Sequence, residues 1–191
     1  MQSDGHARMT TSATGSYLVA TPIIDGGLGL DVIWQGFVAG VTGLDGSMVR
    51  PAWQPVSPKM PSADTDWAAV GVLDETPDAG PALLHRETTD SLGTTHSVRH
   101  SQLRIIAAFY GPRAHGHAIA LRDGAGILQN QDVIKRHKMG IVEVGQIINT
   151  TEMAAQGWLR RVDVHIIARR MVTQQYAIHH ITGAPTHPIK G

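Results

Sequence analysis

Residues 48–67 constrain the fold more strongly than any other part of the chain, because four prolines and two tryptophans lie within them. Each proline fixes φ near about −65°, lacks a backbone donor and pushes the preceding residue toward extended geometry. The segment therefore cannot form a helix and is a poor central strand. Trp53 and Trp67 nevertheless gain about 2–3 kcal/mol each if they are buried. We expect an extended strap, anchored by aromatic side chains, that crosses the domain or reaches a neighbouring subunit. We call residues 48–67 the strap.

The length and charge of the chain limit its class. Its 191 residues suit one domain with a sizeable core. We expect a flexible N-terminal arm at 1–16, a single domain at 17–182 and a flexible tail at 183–191. Lys and Arg total 16, as do Asp and Glu, so the formal charge is zero. This balance argues against a dedicated nucleic-acid binder and a membrane-surface protein, and it favours self-association.

The sequence contains no cysteine, which excludes disulfides, thiolate metal sites and a cysteine nucleophile. No stretch approaches the roughly 18 apolar residues of a transmembrane helix. The first residues also lack the apolar core of a signal peptide. We therefore expect a soluble, intracellular protein.

Apolar periodicity in the first half of the chain predicts one helix and several strands. A short apolar run at 17–21 could begin a helix or a strand, and residues 28–42 have helical spacing that ends at Gly43. A turn is predicted at 91–95. Strands are predicted at 67–73, which should be central, at 82–85 and at 96–110. In the last strand Leu103, Ile105, Ala107 and Phe109 share one face, and the protruding connection before it makes an extended hairpin.

The second half predicts further helices and a second antiparallel pair. A helix begins at Pro112, with an apolar side formed by Ala114, Ala118, Leu121, Ala125 and Leu128. Asn130 is predicted to cap a short helix at 131–138. Residues 141–144 are extended and 149–156 form a loop. A strand at 158–171 alternates Val162, Val164, Ile166 and Ala168 with polar residues, and a turn at 172–175 leads to a pairing strand at 176–182. The predicted class is α+β: a mainly antiparallel sheet with two or three helices, an extended hairpin and the strap.

The 11 histidines require a test for a metal site. Zinc needs three or four convergent ligands. His115 and His117, at a helix start, point to different sides, and His179 and His180 point to opposite faces of a strand. We therefore predict no metal site, no cofactor site and no catalytic residue. A small metal-dependent or acid–base enzyme using these histidines and His165 is the alternative of a different class.

Other catalytic signatures are missing from the sequence. It contains no G-x-S-x-G elbow, dinucleotide fingerprint or P-loop. Basic residues form local clusters, and the candidates for facing DNA are Lys135, Arg136, Arg161 and Arg169. A phosphate-binding role requires several subunits to aim them at one channel, and the alternative is an ordinary solvated surface.

Several short segments together resemble one family. They are VRPAWQP at 49–55, DWAAVG at 66–71, FYGP at 109–112, NQ at 130–131, MG at 139–140 and WLRRVDV at 158–164. In this order they resemble the neck or tail terminator proteins of tailed bacteriophages with contractile tails. The resemblance covers about residues 28–182.

This resemblance implies a structural virion protein without enzymatic activity, assembled in the host cytoplasm and located at the tail–neck junction. It implies a ring, typically a homohexamer, that caps the tail tube, meets head-completion or connector proteins and lets DNA pass. The sheath is a further candidate partner. Another head–tail adaptor or a tube protein is the alternative within the same class.

Two segments are the candidates for contact between subunits in such a ring. Trp67 is expected to anchor the strap in its own core, leaving 55–61 to bridge toward a neighbour or the tube. The hairpin at 74–100 is the second candidate. The predicted interface residues are Arg50, Trp53, Pro55, Pro58, Pro61, Leu83 and His85.

Overall fold

A computed structural model describes residues 17–21, 28–55, 59–86, 92–154 and 157–179. Within them the chain forms three helices, α1 (Leu28–Thr42), α2 (Ala114–Gly124) and α3 (Leu128–Lys135), and a 3₁₀ turn at Gly46–Met48. The strands are β1 (Val49–Pro51), β2 (Trp67–Pro77), β3 (Ala82–Arg86), β4 (Leu92–Tyr110), β5 (Met139–Asn149), β6 (Glu152–Ala154), β7 (Gly157–Leu159) and β8 (Arg161–His179). The predicted α+β class is confirmed.

The main sheet has the strand order β1-β2-β4-β8-β5, and β3 also pairs with β4. β1 runs parallel to β2, whereas the β2–β4, β3–β4 and β5–β8 pairs are antiparallel. β6 and β7 form a separate two-stranded sheet. The predicted extended hairpin is thus present, since β2 pairs with the second half of β4 and β3 with its first half. The described residues form two compact units, one within 24–78 and 100–171, the other within 1–23, 79–99 and 172–191.

The core of the larger unit lies between one face of the sheet and the helices. The predicted alternation in β4 is confirmed, because Leu103, Ile105, Ala107 and Phe109 are fully buried. The same holds in β8 for Val162, Val164, Ile166 and Ala168. On the helical side Trp34 and Phe37 of α1 pack edge to face, with ring centroids 5.7 Å apart. One apolar cluster therefore joins the sheet to all three helices.

Three turn or loop predictions are wrong, because strand pairing overrides weak local signals. β8 runs without a break through 172–175, where Val172 and Thr173 favour a strand and no Gly or Pro stops it. The loop predicted at 149–156 contains β6, which pairs with β7. Of the turn predicted at 91–95, residues 92–95 belong to β4, where Thr94 and Thr95 pair with β3, and Ser91 lies outside the described residues. The residues after 179 lie outside the described part.

Two helix predictions and one prediction near the start also need correction. The helix after Pro112 ends at Gly124, so Leu128 begins α3 and is 72% exposed instead of buried. Asn130 lies inside α3, and its Nδ2 donates to the Gly124 carbonyl at 2.9 Å instead of capping the helix. Residues 17–21 form neither helix nor strand; the Thr21 N–H donates to the Gln175 carbonyl at 3.0 Å.

Asp66, near the end of the strap, caps the N-terminus of α2 although it is 47 residues away from Arg113 in the sequence. Asp66 Oδ1 accepts the backbone N–H of Arg113 at 2.8 Å, and Oδ2 accepts from the Arg113 guanidinium at 2.7 Å. Gly111 has φ +103°, and a Cβ there would lie 2.6 Å from the Thr65 carbonyl oxygen. Burial raises the pKa of Asp66, but the hydrogen bonds and charge of Arg113 and the charge of His117 outweigh it, so the pKa falls below its usual value. The Asp66 carboxylate therefore accepts a backbone N–H at the N-terminus of α2 and at the same time fixes the end of the strap to this helix.

We predict that Asp66→Ala lowers the free energy of unfolding by about 1–2 kcal/mol near neutral pH, because α2 loses its cap. The folded-state pKa of Asp66 is depressed, so its contribution is complete above the unfolded-state pKa and is lost as pH falls through the folded-state pKa. The difference between wild type and variant should therefore shrink in acid. Urea unfolding at several pH values measures this, with the exposed Asp64→Ala as control. A pH-independent difference would contradict the prediction.

Candidate interaction surface

The face of the sheet opposite the helices carries the strap. In β1 and β2 the side chains of Val49, Ala68 and Val70 enter the helix-side core. Their neighbours Trp67 and Ala69 belong to a second, smaller cluster. Because successive side chains alternate between faces, this second cluster lies on the opposite face of the sheet.

The second cluster is centred on a stacked aromatic pair. Trp67 and Tyr110 are register partners in the β2–β4 pair, and their rings lie 4.1 Å apart at an angle of 6°. The Arg50 guanidinium lies 5.8 Å from the Trp67 ring centroid, and that of Arg161 lies 5.8 Å from the Tyr110 centroid. Cations over aromatic faces add to the stability of such a stack. Trp67 is buried, as expected of the strap anchor.

Trp53 rests on the sheet instead of entering it. The Ala52 N–H donates to the Val70 carbonyl at 2.8 Å, which brings the start of the strap alongside β2. A Cβ at Gly71 would lie 2.7 Å from Trp53 Cε3, so the indole covers a position where only glycine fits. Trp53 nevertheless remains 54% exposed. Of the two strap tryptophans only Trp67 is buried, and the interface role of Trp53 stays a prediction.

The strap and the sheet enclose a groove of about 440 Å³, which we call the strap groove. Its apolar walls come from Trp53, Met60, Trp67 and Tyr110, and Arg50 lies at its side. Met60 is 56% exposed. An open groove lined by aromatic and methionine side chains is typical of a surface that binds another protein.

The other predicted interface residues of the strap have varied environments. Arg50 Nη1 donates to the Lys59 carbonyl at 3.0 Å, which closes the strap into a loop. Pro55 is exposed and Pro61 is half-buried. Pro58 lies outside the described residues. The interface role of these residues stays a prediction.

In the smaller unit, β3 exposes two consecutive leucines. Leu83 is 59% exposed and its neighbour Leu84, which the sequence analysis missed, is 57% exposed. Consecutive strand residues point to opposite faces, so both faces of β3 carry an exposed leucine. His85 Nδ1 lies 2.8 Å from Thr95 Oγ1 of β4 and is held in place. Leu83 and His85 remain predicted interface residues.

A second apolar feature that the sequence analysis missed lies on β6 and β7. Met153 and Trp158 are cross-strand partners and are 74% and 71% exposed. Leu159 packs against the Trp67–Tyr110 cluster and ties β7 to the sheet. We call Met153 and Trp158 the knob. Gly157 lies directly before Trp158 and has φ +128°. A glycine at this position was the sequence signal that could have predicted a hairpin.

The predicted DNA-facing residues do not form one cluster. Arg161 and Arg169 are both on β8, roughly 25 Å apart at about 3.3 Å per residue. Arg161 donates to Asp163 at 2.7 Å, Arg169 is paired with Asp78, and Lys135 is paired with Asp132 at 2.9 Å. Arg136 is exposed.

The Arg169 end of β8 has a basic cavity. It measures about 330 Å³ and is lined by His100, Lys138, Arg169, Arg170 and Met171. Arg170 is buried and donates to both carboxylate oxygens of Glu75 at 2.9 and 2.6 Å. Part of the positive charge around this cavity is therefore neutralised by carboxylates.

The histidines described by the structure do not assemble into a ligand set. His117 Nε2 lies 3.9 Å from Asp66 Oδ2, and its ring stacks on Phe109 with centroids 6.4 Å apart. His115 is exposed on α2, and His165 Nδ1 is buried without a hydrogen-bond partner in the described chain. No group of three His, Asp or Glu side chains that could hold a metal occurs among the described residues. His180 lies outside them.

Two comparisons with known proteins bear on this surface. A family model described as phage neck terminator protein matches residues 30–191. A search of curated proteins found no match.

Among the described residues no helix is long and apolar enough to span a membrane.

The two strap tryptophans should differ in their contribution to stability. We predict that Trp67→Ala lowers the free energy of unfolding by about 3–5 kcal/mol, because a buried stacked side chain is lost. Trp53→Ala should cost about 1–2 kcal/mol, since more than half of this side chain is already in water. Chemical denaturation of both variants measures the difference. Equal losses would show that Trp53 is as much a core residue as Trp67.

Proposed function

This chain belongs to the phage neck terminator protein family, and we propose that it forms a homohexameric ring that caps the tail tube of a contractile-tailed phage. In this proposal the ring joins the tube to the head-completion or connector proteins, and DNA passes through its centre. The family match over residues 30–191 is the observation that carries the proposal. The match supports a structural role at the virion neck, and we further propose assembly in the host cytoplasm and no enzymatic activity.

The exposed apolar side chains support self-assembly. Trp53 and Met60 line the strap groove, Leu83 and Leu84 lie on β3, and the knob lies on β6 and β7. Head-to-tail contacts in a closed ring pair two different patches of each subunit. A chain with several unlike apolar patches has the surfaces that such contacts need. The tail tube, the connector and the sheath are the proposed partners for patches that the ring leaves open.

The charge distribution supports DNA passage without tight binding. Phosphate contacts made by Lys and Arg control DNA affinity, and strong contacts would hold DNA that must slide. The formal charge is zero, and Lys135 and Arg169 each have a carboxylate partner. We propose that Lys135, Arg136 and Arg169 face the DNA. Arg161, the fourth predicted residue, lies near the Tyr110 ring and is paired with Asp163 at the other end of β8, and its DNA-facing role stays a prediction.

Two alternatives differ in what they would require. Another head–tail adaptor or a tube protein would use the same surfaces at a different level of the neck. A histidine-dependent metalloenzyme would require bound metal, and metal analysis of tag-free protein showing less than one equivalent would exclude it.

The proposal predicts rings with six subunits. Analytical ultracentrifugation of the purified protein, alone and with isolated tails, should show a hexamer, and cryo-EM of the virion neck should place it at the end of the tube. Protein that stays monomeric in both samples, together with neck density that lacks it, would refute the proposal.

A surface variant tests the role of β3 in assembly. We predict that Leu83→Ser combined with Leu84→Ser reduces the hexamer fraction while the unfolding midpoint stays unchanged, because both side chains are already exposed. Leu128→Ser is the matched control, since Leu128 is also an exposed leucine outside the proposed contact. If the double variant and the control form the same fraction of hexamer, β3 is not part of the interface.

A further inference from the structure

A lysine with a strained backbone lies beside the basic cavity at the Arg169 end of β8. Lys138 has φ +57° and is the one non-glycine residue with a positive φ among the described residues. Lysine rarely takes this left-handed conformation, which glycine or asparagine normally supplies at the end of a helix. Strained backbone of this kind is more frequent at functional sites.

The backbone contacts of Lys138 do not themselves require a lysine. Its N–H donates to the Lys135 carbonyl at 2.9 Å, at the end of α3, and its carbonyl accepts the Met171 N–H at 3.1 Å. Glycine would make the same two hydrogen bonds without strain. The reason for a lysine therefore lies in its side chain. A cation near a helix C-terminus is one such reason, because it complements the helix dipole.

The cavity beside Lys138 offers a second reason, because it gathers basic side chains from three segments of the larger unit. His100 comes from β4, Arg169 and Arg170 come from β8, and Lys138 follows α3. The volume of about 330 Å³ is at the lower end of the range for small-molecule pockets, so a phosphate group with ordered waters has room. Lysine and arginine donors that converge on one point are typical of phosphate sites.

Carboxylates hold the two arginines and leave the cavity with an excess of positive charge. Arg170 donates to both oxygens of Glu75, and Arg169 is paired with Asp78. Lys138 has no ion-pair partner among the described residues. Three cations and two carboxylates therefore meet here. The excess is one positive charge, and it is that of Lys138.

The charges around the cavity do not cancel this excess. Two neighbouring ion pairs add no net charge: Lys135–Asp132 and Arg104–Asp74. Glu143 lies on β5, three residues after the register partner of Arg169. Arg136 is exposed on the other side, directly after α3, and offsets it. The neighbourhood as a whole therefore stays positive.

We propose that this cavity binds a phosphate group of the DNA backbone, with Lys138 as the main charged contact. The Arg169 guanidinium has five N–H donors and uses Nη2 for Asp78, so further donors remain for a ligand. His100 adds a ring N–H. The assignment to DNA rests on the function proposed above, whereas the cavity itself is complete in one subunit. A single phosphate contact is weak, which suits DNA that must slide.

A titration with inorganic phosphate tests the site in the single subunit. Amide NMR spectra of the purified chain are recorded with sodium phosphate and with sodium chloride at equal ionic strength. We expect the signals of His100, Lys138 and Arg169 to shift and to saturate with phosphate only. Lys138→Gln should raise the dissociation constant for phosphate by about tenfold, because a charge-assisted hydrogen bond is lost.

Lys59→Gln, at an exposed lysine of the strap, is the matched control and should bind phosphate like the wild type. The inference is wrong if the wild type shows no saturable shift, or if Lys138→Gln and Lys59→Gln have the same dissociation constant for phosphate.

A glycine variant separates phosphate binding from the role of Lys138 in the fold. Lys138→Gly removes the side chain and relieves the backbone strain, so its urea midpoint without phosphate should equal or exceed that of the wild type. Its phosphate binding should be lost. If Lys138 serves only the end of α3, the glycine variant will unfold at a lower urea concentration and bind phosphate normally. That result would overturn the inference.

A short DNA duplex distinguishes a backbone phosphate from a free phosphate ion. Binding of the duplex is measured at several salt concentrations for the wild type and for Lys138→Gln. The slope of log K against log salt concentration should fall by about one for each bound subunit in the variant. Equal slopes, with phosphate binding intact in the wild type, would overturn the assignment to DNA. Both titrations use single subunits, so protein that fails to form rings would refute the proposed ring and not this site.

Discussion

The stacked pair of Trp67 and Tyr110 fixes the register on which the rest of the structure depends. These two residues are the first partners of the β2–β4 pair. A shift of one residue in a β-pair moves every side chain to the other face of the sheet. With Trp67 opposite Tyr110, Ala68 and Val70 face the helices, and Ala69 faces the strap. The stack thus decides which face becomes the core and which face supports the interaction surface.

At the other end of the same strands, ion pairs replace aromatic contacts. Glu75 and Asp74 of β2 pair with Arg170 of β8 and Arg104 of β4, and Asp78 pairs with Arg169. Among the three arginines, Arg170 in the pair with Glu75 has the least exposed side chain. Removing one member of a buried pair leaves the other without compensation, so such pairs specify an arrangement more than they stabilise it. The central strands therefore carry a stacked aromatic pair at one end and ion pairs at the other.

Periodic patterns predicted the parts of the fold that depend on burial. The helix at 28–42 and the buried alternation in β4 and β8 followed from apolar spacing, because each of these elements buries one face. The continuous β8 was missed because alternation alone cannot separate one strand of 19 residues from two shorter strands joined by a turn. The cap on α2 was missed for another reason: Asp66 and Arg113 are 47 residues apart, and such a contact leaves no local signal. The knob was missed because its strands are too short to show a period.

The Trp53 side chain can move independently of the core, because it rests on Gly71 at the surface of the sheet. The indole lies on top of a glycine and does not interlock with side chains of the sheet. Lifting the indole breaks one exposed aromatic contact, while the Ala52–Val70 hydrogen bond and the helix-side cluster remain in place. Segments with few buried contacts open at a lower free energy than the core that supports them. The Trp53 indole can therefore change position when a subunit docks without any local unfolding of the sheet beneath it.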